Sequence, residues 1–299
     1  MLRLALFLAL SALPGASARA QTIALPEGVK LTLPGQGRGS VEWLIPPSSS
    51  ESSEVPISFA VDPRGRAWLI RDYRVIFVPQ ENALFKSDRP FQQLAWLSEG
   101  KALARSGEVL ETFKPESRDS GNGLPEVHLK PLTTISLSTW KIAPAGRDGL
   151  YIAGYNSKKG LSQICLVGPA LDARTLKVLF RTSAQISDVA GDGHATYFAS
   201  GPSIWKLTAK GAKLVYARRK GDIRRLIYVS GAGIFFATDD SVGFAQGDSG
   251  FDFIQAPRPQ IAAAKGELYV MLGGLSNGVL RVGGLSRFSR ILKDWRNKG

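Results

Sequence analysis

The sequence predicts an all-β fold, a six-bladed β-propeller of four-stranded blades, and three observations lead there. Six segments repeat one pattern: an apolar strand, a tight glycine turn, and a second strand rich in aromatic and branched residues. The turn glycines Gly65, Gly100, Gly149, Gly193, Gly233 and Gly266 lie 35, 49, 44, 40 and 33 residues apart. That is about 40 on average, the length of one four-stranded blade. No window between Ile57 and Gly284 carries a helical period over three turns. One such sheet cannot bury its own two faces, and stacking the sheets in a ring covers each with a neighbour.

Along the chain, residues 1–20 come first. Arg3 supplies a positive start, Leu4 to Leu13 form an apolar run broken only by Ser11, and Ala18-Arg19-Ala20 places small residues at a cleavage point. This is the layout of a signal peptide, so the protein is expected to be periplasmic or secreted. The run is too short to cross a bilayer, which takes roughly 20 residues. Residues 21–40 carry Gly and Pro and are expected to be irregular. The propeller domain is expected over residues 41–299. Its first piece, Val41 to Ile45, is a strand with no partner nearby in sequence.

The six repeats begin at Ile57, Phe91, Leu137, Ile186, Ile223 and Ile261. Third strands follow at Arg74, Val109, Gln163, Ile204, Gly243 and Val279, and fourth strands at Ala83, Glu126, Leu176, Lys213 and Phe251. Six first strands meet only five fourth strands inside the run. The missing one is Val41–Ile45, which is expected to cross to the last blade and close the ring. The Pro/Ser-rich stretch after Pro46 reads as a connector. At the far end Phe288, Ile291, Leu292 and Trp295 fall at i, i+3, i+4 and i+7, the stripe of a short helix. The competing reading makes Phe288 to Leu292 an outer strand.

The formal charge is +13, and +11 once Arg3 and Arg19 leave with the leader. So basic a protein is drawn to polyanions. One cysteine, Cys165, excludes an internal disulfide, and its apolar surroundings make it a buried small hydrophobe. The largest excess of charge is Arg218, Arg219, Lys220, Arg224 and Arg225, in the connection between a fourth strand and the next first strand. With Lys206, Lys210, Lys213 and Lys158-Lys159 these cations are read as one anion- or partner-binding surface, against the plainer reading of a solvated face. An acidic partner protein or an anionic envelope component suits it, with peripheral membrane contact included. Nucleic acid does not, because no aromatic recognition motif accompanies the charge.

The turn Asp62-Pro63-Arg64-Gly65-Arg66-Ala67-Trp68, with its hairpin, resembles six-bladed propellers of the NHL and lactonase-like type. The resemblance covers most of residues 41–299 and is one of architecture. Those families include scaffolds, ligand binders and hydrolases, and the lactonase-like members hold a cation in the channel with acidic and Asn side chains. Asp62, Asp148, Asp192 and Asp239 recur near turns and are the matching candidates, but Asn is scarce in the repeats, with Asn156 and Asn277 the main instances. Aspartate in a glycine turn is more often turn chemistry.

Other chemistry lacks its motif. His128 and His194 have no partner at metal-ligand spacing. There is no Gly-x-Ser-x-Gly elbow and no phosphate loop opening a helix. Trp68, Trp96, Trp140 and Trp205 fit blade cores and do not indicate a quinone pocket. No cofactor is expected. The leading expectation is a non-catalytic binding or scaffold module, and the alternative is a metal-dependent, lactonase-like hydrolase with its site at the channel mouth.

Overall fold

The computed structural model describes residues 25, 29–32, 41–47, 56–97, 100–115, 124–273 and 278–296. The expected signal peptide, most of the Pro/Ser-rich connector and Asn277 lie outside them. Among these residues the fold is all-β, with one α-helix and three short 3-10 turns. Two strands lead, β1 (Lys30–Leu31) and β2 (Val41–Ile45). Then come β3 (Ser58–Val61), β4 (Ala67–Arg71), β5 (Val75–Val78) and β6 (Ala83–Ser87), followed by β7 (Gln93–Trp96), β8 (Ala102–Ser106), β9 (Val109–Pro115) and β10 (Glu126–Thr134). The third group is β11 (Ser138–Pro144), β12 (Leu150–Asn156), β13 (Leu161–Val167) and β14 (Lys177–Thr182). The fourth is β15 (Asp188–Gly191), β16 (Thr196–Ser200), β17 (Ser203–Thr208) and β18 (Gly211–Ala217). The fifth is β19 (Arg225–Val229), β20 (Gly233–Ala237), β21 (Ser241–Gln246) and β22 (Ser249–Gln255). Last come β23 (Gln260–Ala264), β24 (Glu267–Met271), β25 (Val279–Val282) and helix α1 (Ser286–Arg296).

All six expected turn glycines hold a positive φ, between +71° and +131°, where a side chain is strained. Gly149 shows the reason most plainly. A Cβ there would lie 2.0 Å from the Val167 carbonyl oxygen.

The first strands β3, β7, β11, β15, β19 and β23 form a closed circuit, each touching the next and β23 touching β3. The buried apolar side chains fall into six clusters, each shared by two adjoining strand groups. Trp68, Phe91, Trp96 and Phe113, for example, meet between the first and second groups, with Trp68 and Trp96 centred 5.5 Å apart. This is a propeller-like arrangement, with each sheet face buried against its neighbour.

Strand pairing departs from six separate blades. The described residues form five hydrogen-bonded sheets, one of them eight-stranded. Strands β6 and β10 cause this, because they pair in parallel at Lys86–Glu126 and Ser87–Val127 and join two four-stranded meanders along their outer edges. Residues 21–40 are not wholly irregular either. Strand β1 pairs with β22, Lys30 opposite Gln255 and Leu31 opposite Ile254, while Leu25, Val29 and Leu31 pack on the adjacent core. Covering an exposed edge in this way removes a row of open donors and acceptors.

Strand β2 pairs antiparallel with β25, Val41 opposite Val282 and Trp43 opposite Leu280, and Glu42 forms an ion pair with Arg281. The C-terminal stretch is helical. Phe288 of α1 is fully buried, with its ring centred 4.9 Å from that of Phe253 and 5.5 Å from those of Phe235 and Phe244. Phe288→Ala is expected to cost about 3–5 kcal/mol, read as a lower denaturant midpoint at unchanged m-value. A loss below about 1 kcal/mol would show that the helix does not seal this core.

Candidate functional site at the channel mouth

All six first strands run the same way around the channel, so their starting residues gather at one mouth. Ile57, Gln92, Leu137, Ser187, Arg224 and Pro259, each directly before or at the start of a first strand, line a cavity of about 1030 Å³ there. A narrower cavity of about 430 Å³ continues down the channel between the strands themselves. Arg225 borders both.

The first strands belong to different sheets or to opposite ends of one sheet. Side chains bridge three of the junctions instead. Gln93 donates from Nε2 to the Ile142 carbonyl at 2.9 Å and accepts from the Ile142 N–H at 3.0 Å. Gln260 donates to the Pro56 carbonyl at 2.7 Å. Asp188, the first residue of β15, accepts from the Leu226 N–H of β19 at 2.9 Å and from its own neighbour Val189 at 3.0 Å. Buried polar groups that find partners in this way cost little.

Asp188, which lines the narrower cavity, is also the centre of the charge below the mouth. Its residue is 4% exposed. Lys141 of β11 and Arg225 of β19 act on its carboxylate, Arg105 of β8 acts on Lys141, and Arg225 acts on Arg105. Burial raises the Asp188 pKa, and Arg225 and Lys141 counter only part of that. Arg225 pushes Lys141 down to about 8, helped by burial and opposed by Asp188. Burial and then Arg225 lower Arg105. With Arg105, Lys141 and Arg225 lining the cavity and the buried Asp188 carboxylate facing two of them, the floor is electropositive.

The rim adds two more arginines. Arg224 pairs with Asp239, Nη2 to Oδ2 at 3.1 Å. Arg258 is exposed, and its N–H donates to the Asp239 carbonyl at 2.7 Å. It holds φ at +44°, a left-handed conformation that costs a non-glycine residue about 1–2 kcal/mol.

The five cations singled out in the sequence separate. Arg224 and Arg225 reach the mouth. Arg218 turns inward, its side chain 9% exposed, with Nη2 2.6 Å from Asp252 Oδ2 and 3.1 Å from Ser241 Oγ, and its guanidinium 5.4 Å from the Phe236 ring centre. Arg219 and Lys220 are exposed beside a different cavity with Tyr216 and Asp252. Arg105, Lys141 and Arg258 were not singled out. For Lys141 a signal existed: it is the lone charge inside its first strand.

The carboxylate candidates do not make a ring. Asp62 accepts from the N–H groups of Arg64 and Arg66 and from Trp68 Nε1, inside its own turn. Burial pushes its pKa up, but the Arg66 and Trp68 hydrogen bonds prevail and hold it low. Asp192 accepts from His194 and Ala195 N–H groups in the same manner. Asp239 lines the mouth, and the Asp148 side chain lies outside the described residues. His194 is exposed, and His128 lies in β10, 3.9 Å from Asp88. Among the described residues no three of His, Cys, Asp and Glu come together. An electropositive floor without such a set does not fit a resident divalent cation. Cys165 is buried, and burial pushes its thiol up to about 11, so it is unreactive.

The Lys141 shift carries a sign for stability. A lysine lowered to about 8 from 10.5 binds fewer protons folded than unfolded between those values. Stability from this group therefore rises with pH across that window and is lost as pH falls through about 8. Unfolding free energies at pH 8 and pH 10 are expected to show that gain in the wild type and a smaller one in Lys141→Met. Equal slopes in both proteins would contradict the shift.

No protein-family model and no curated protein sequence matches the chain. Solved structures do match. A gluconolactonase from Xanthomonas campestris superposes with TM-score 0.58 at 10% identity, over 86% of this chain and 95% of that one. A PQQ-bound aldose sugar dehydrogenase from Streptomyces coelicolor gives 0.57 at 14%, over 84% and 99%. A regucalcin from Agrobacterium tumefaciens, described as calcium-binding, gives 0.54 at 15%, over 81% and 94%. At these identities the likeness is one of fold. The chain has the propeller architecture of the lactonase-like proteins.

Proposed function

We propose that this chain is an exported six-bladed propeller enzyme, a hydrolase working at the channel mouth on an ester or lactone that carries a negative charge. Six first strands in a circuit, six shared cores and the β2–β25 pairing support the six-blade count, with the eight-stranded sheet read as two blades joined at their rims. The leader-like residues 1–20 support export. Enzymes among the solved structures of the same architecture favour turnover over the scaffold reading.

One observation carries the proposal: Arg105, Lys141 and Arg225 line one open cavity, and below it the buried carboxylate of Asp188 answers the charges of Lys141 and Arg225 alone. Buried like charges repel, and a bound anion relieves them while forming charge-assisted hydrogen bonds. The same donors, fixed before the substrate arrives, suit an oxyanion. The chemistry of the site thus differs from the cation-centred site that the lactonase-like resemblance implied.

Calorimetric titration with glutarate and with inorganic phosphate tests the anion site. Wild type is expected to bind at least one of them, and Arg258→Gly to bind it about 10-fold more weakly, the worth of one charge-assisted hydrogen bond. Glycine adopts the left-handed backbone freely, so this variant is expected to be at least as stable as wild type. Arg218→Ser is expected to do the reverse, losing stability with binding intact. Unaltered affinity in Arg258→Gly, or no anion binding in wild type at millimolar concentration, would overturn the assignment.

A further inference from the structure

We infer that Lys141 is the general base of this site: its neutral amine takes a proton from a water as that water adds to the substrate carbonyl, beside Arg105 and Arg225. The inference rests on the hydrolase reading and names the residue that performs its chemistry.

The argument begins with charge. Lys141 lies in a first strand and is partly buried at the cavity floor. Arg105 from β8 and Arg225 from β19 line the same cavity as Lys141, and these two with Asp188 from β15 are the charges that act on it; Glu108, Arg224, Asp239 and Arg258 line the cavity as well. Both arginines keep their protons at any ordinary pH, because guanidinium is too weak an acid to release one. Asp188 gives limited relief, since it already accepts the Val189 and Leu226 N–H groups and is itself buried. The lysine is the only member of the cationic trio able to shed its charge. The fall of its pKa to about 8, caused first by Arg225, is the result. A base is most effective when its pKa lies near the working pH.

The step balances without a further reactant. Lys141 Nζ takes one proton from water, and the water oxygen bonds to the carbonyl carbon. The resulting oxyanion lies against Arg105 and Arg225. When it collapses, the bond to the leaving alkoxide breaks and the alkoxide takes the proton back from Lys141. A lactone and one water give one hydroxy acid, whose new carboxyl ionises to solvent at neutral pH.

Lys141→Arg separates this role from a merely electrostatic one, because arginine keeps the charge and cannot act as base. With a γ-butyrolactone bearing a carboxylate as probe, kcat in wild type is expected to rise to a plateau through about pH 8. Lys141→Arg is expected to lose about 100-fold or more of kcat together with that limb, while it still binds whichever of glutarate and phosphate the wild type binds. In parallel, labelling of Lys141 by trinitrobenzenesulfonate, followed by mass spectrometry, is expected to show its midpoint near about 8. In Arg225→Gln the midpoint should move towards the ordinary lysine value of 10.5. Turnover surviving in Lys141→Arg with the same pH limb, or a wild-type labelling midpoint at the ordinary value, would overturn the base alone. No turnover by wild type would overturn the hydrolase reading and this role with it.

Discussion

The working end of this molecule depends on one constraint: the first strands ring a channel without pairing to one another through their backbones. Each turns an open edge to the channel, and open edges must find partners or water. Gln93, Asp188 and Gln260 supply partners at three of the junctions. At the fourth-to-fifth junction the bridge is a carboxylate. A buried carboxylate demands cations, and the cations it has gathered outnumber it. Fold closure and an electropositive floor therefore meet in Asp188.

That arrangement explains why the site is cationic while propellers of similar architecture include a calcium-binding protein. The carboxylates near the glycine turns are spent locally. Asp62 and Asp192 cap the turns that reverse the chain, and Asp239 holds Arg224. Apart from Glu108, what remains at the mouth is guanidinium, ammonium, amide and hydroxyl. These groups recognise anions and stabilise developing negative charge, and they offer a metal ion few ligands.

Much of the fold was legible because its determinants are local. A glycine at positive φ and a strand bounded by turns both leave marks in short windows, hence Gly149 and β2. The apolar stripe through Phe288 and Leu292 likewise marked α1. The joining of β6 to β10 and the seating of β1 on β22 left no such mark, since they depend on how far two distant edges approach. The site was legible only in part for the same reason. Arg218 to Arg225 are close in sequence, but the chain between them passes from outer strand to channel, and Arg218 is drawn inward by Asp252. Arg105, Lys141 and Arg225 come from three strand groups and meet only in the closed ring.

The most direct test of an anion-selective mouth is anomalous scattering from crystals soaked in selenate, with parallel crystals soaked in calcium. The account expects selenium density at the cavity floor among Arg105, Lys141 and Arg225, and no calcium there. Calcium density at that floor, with selenate absent from it, would contradict the account.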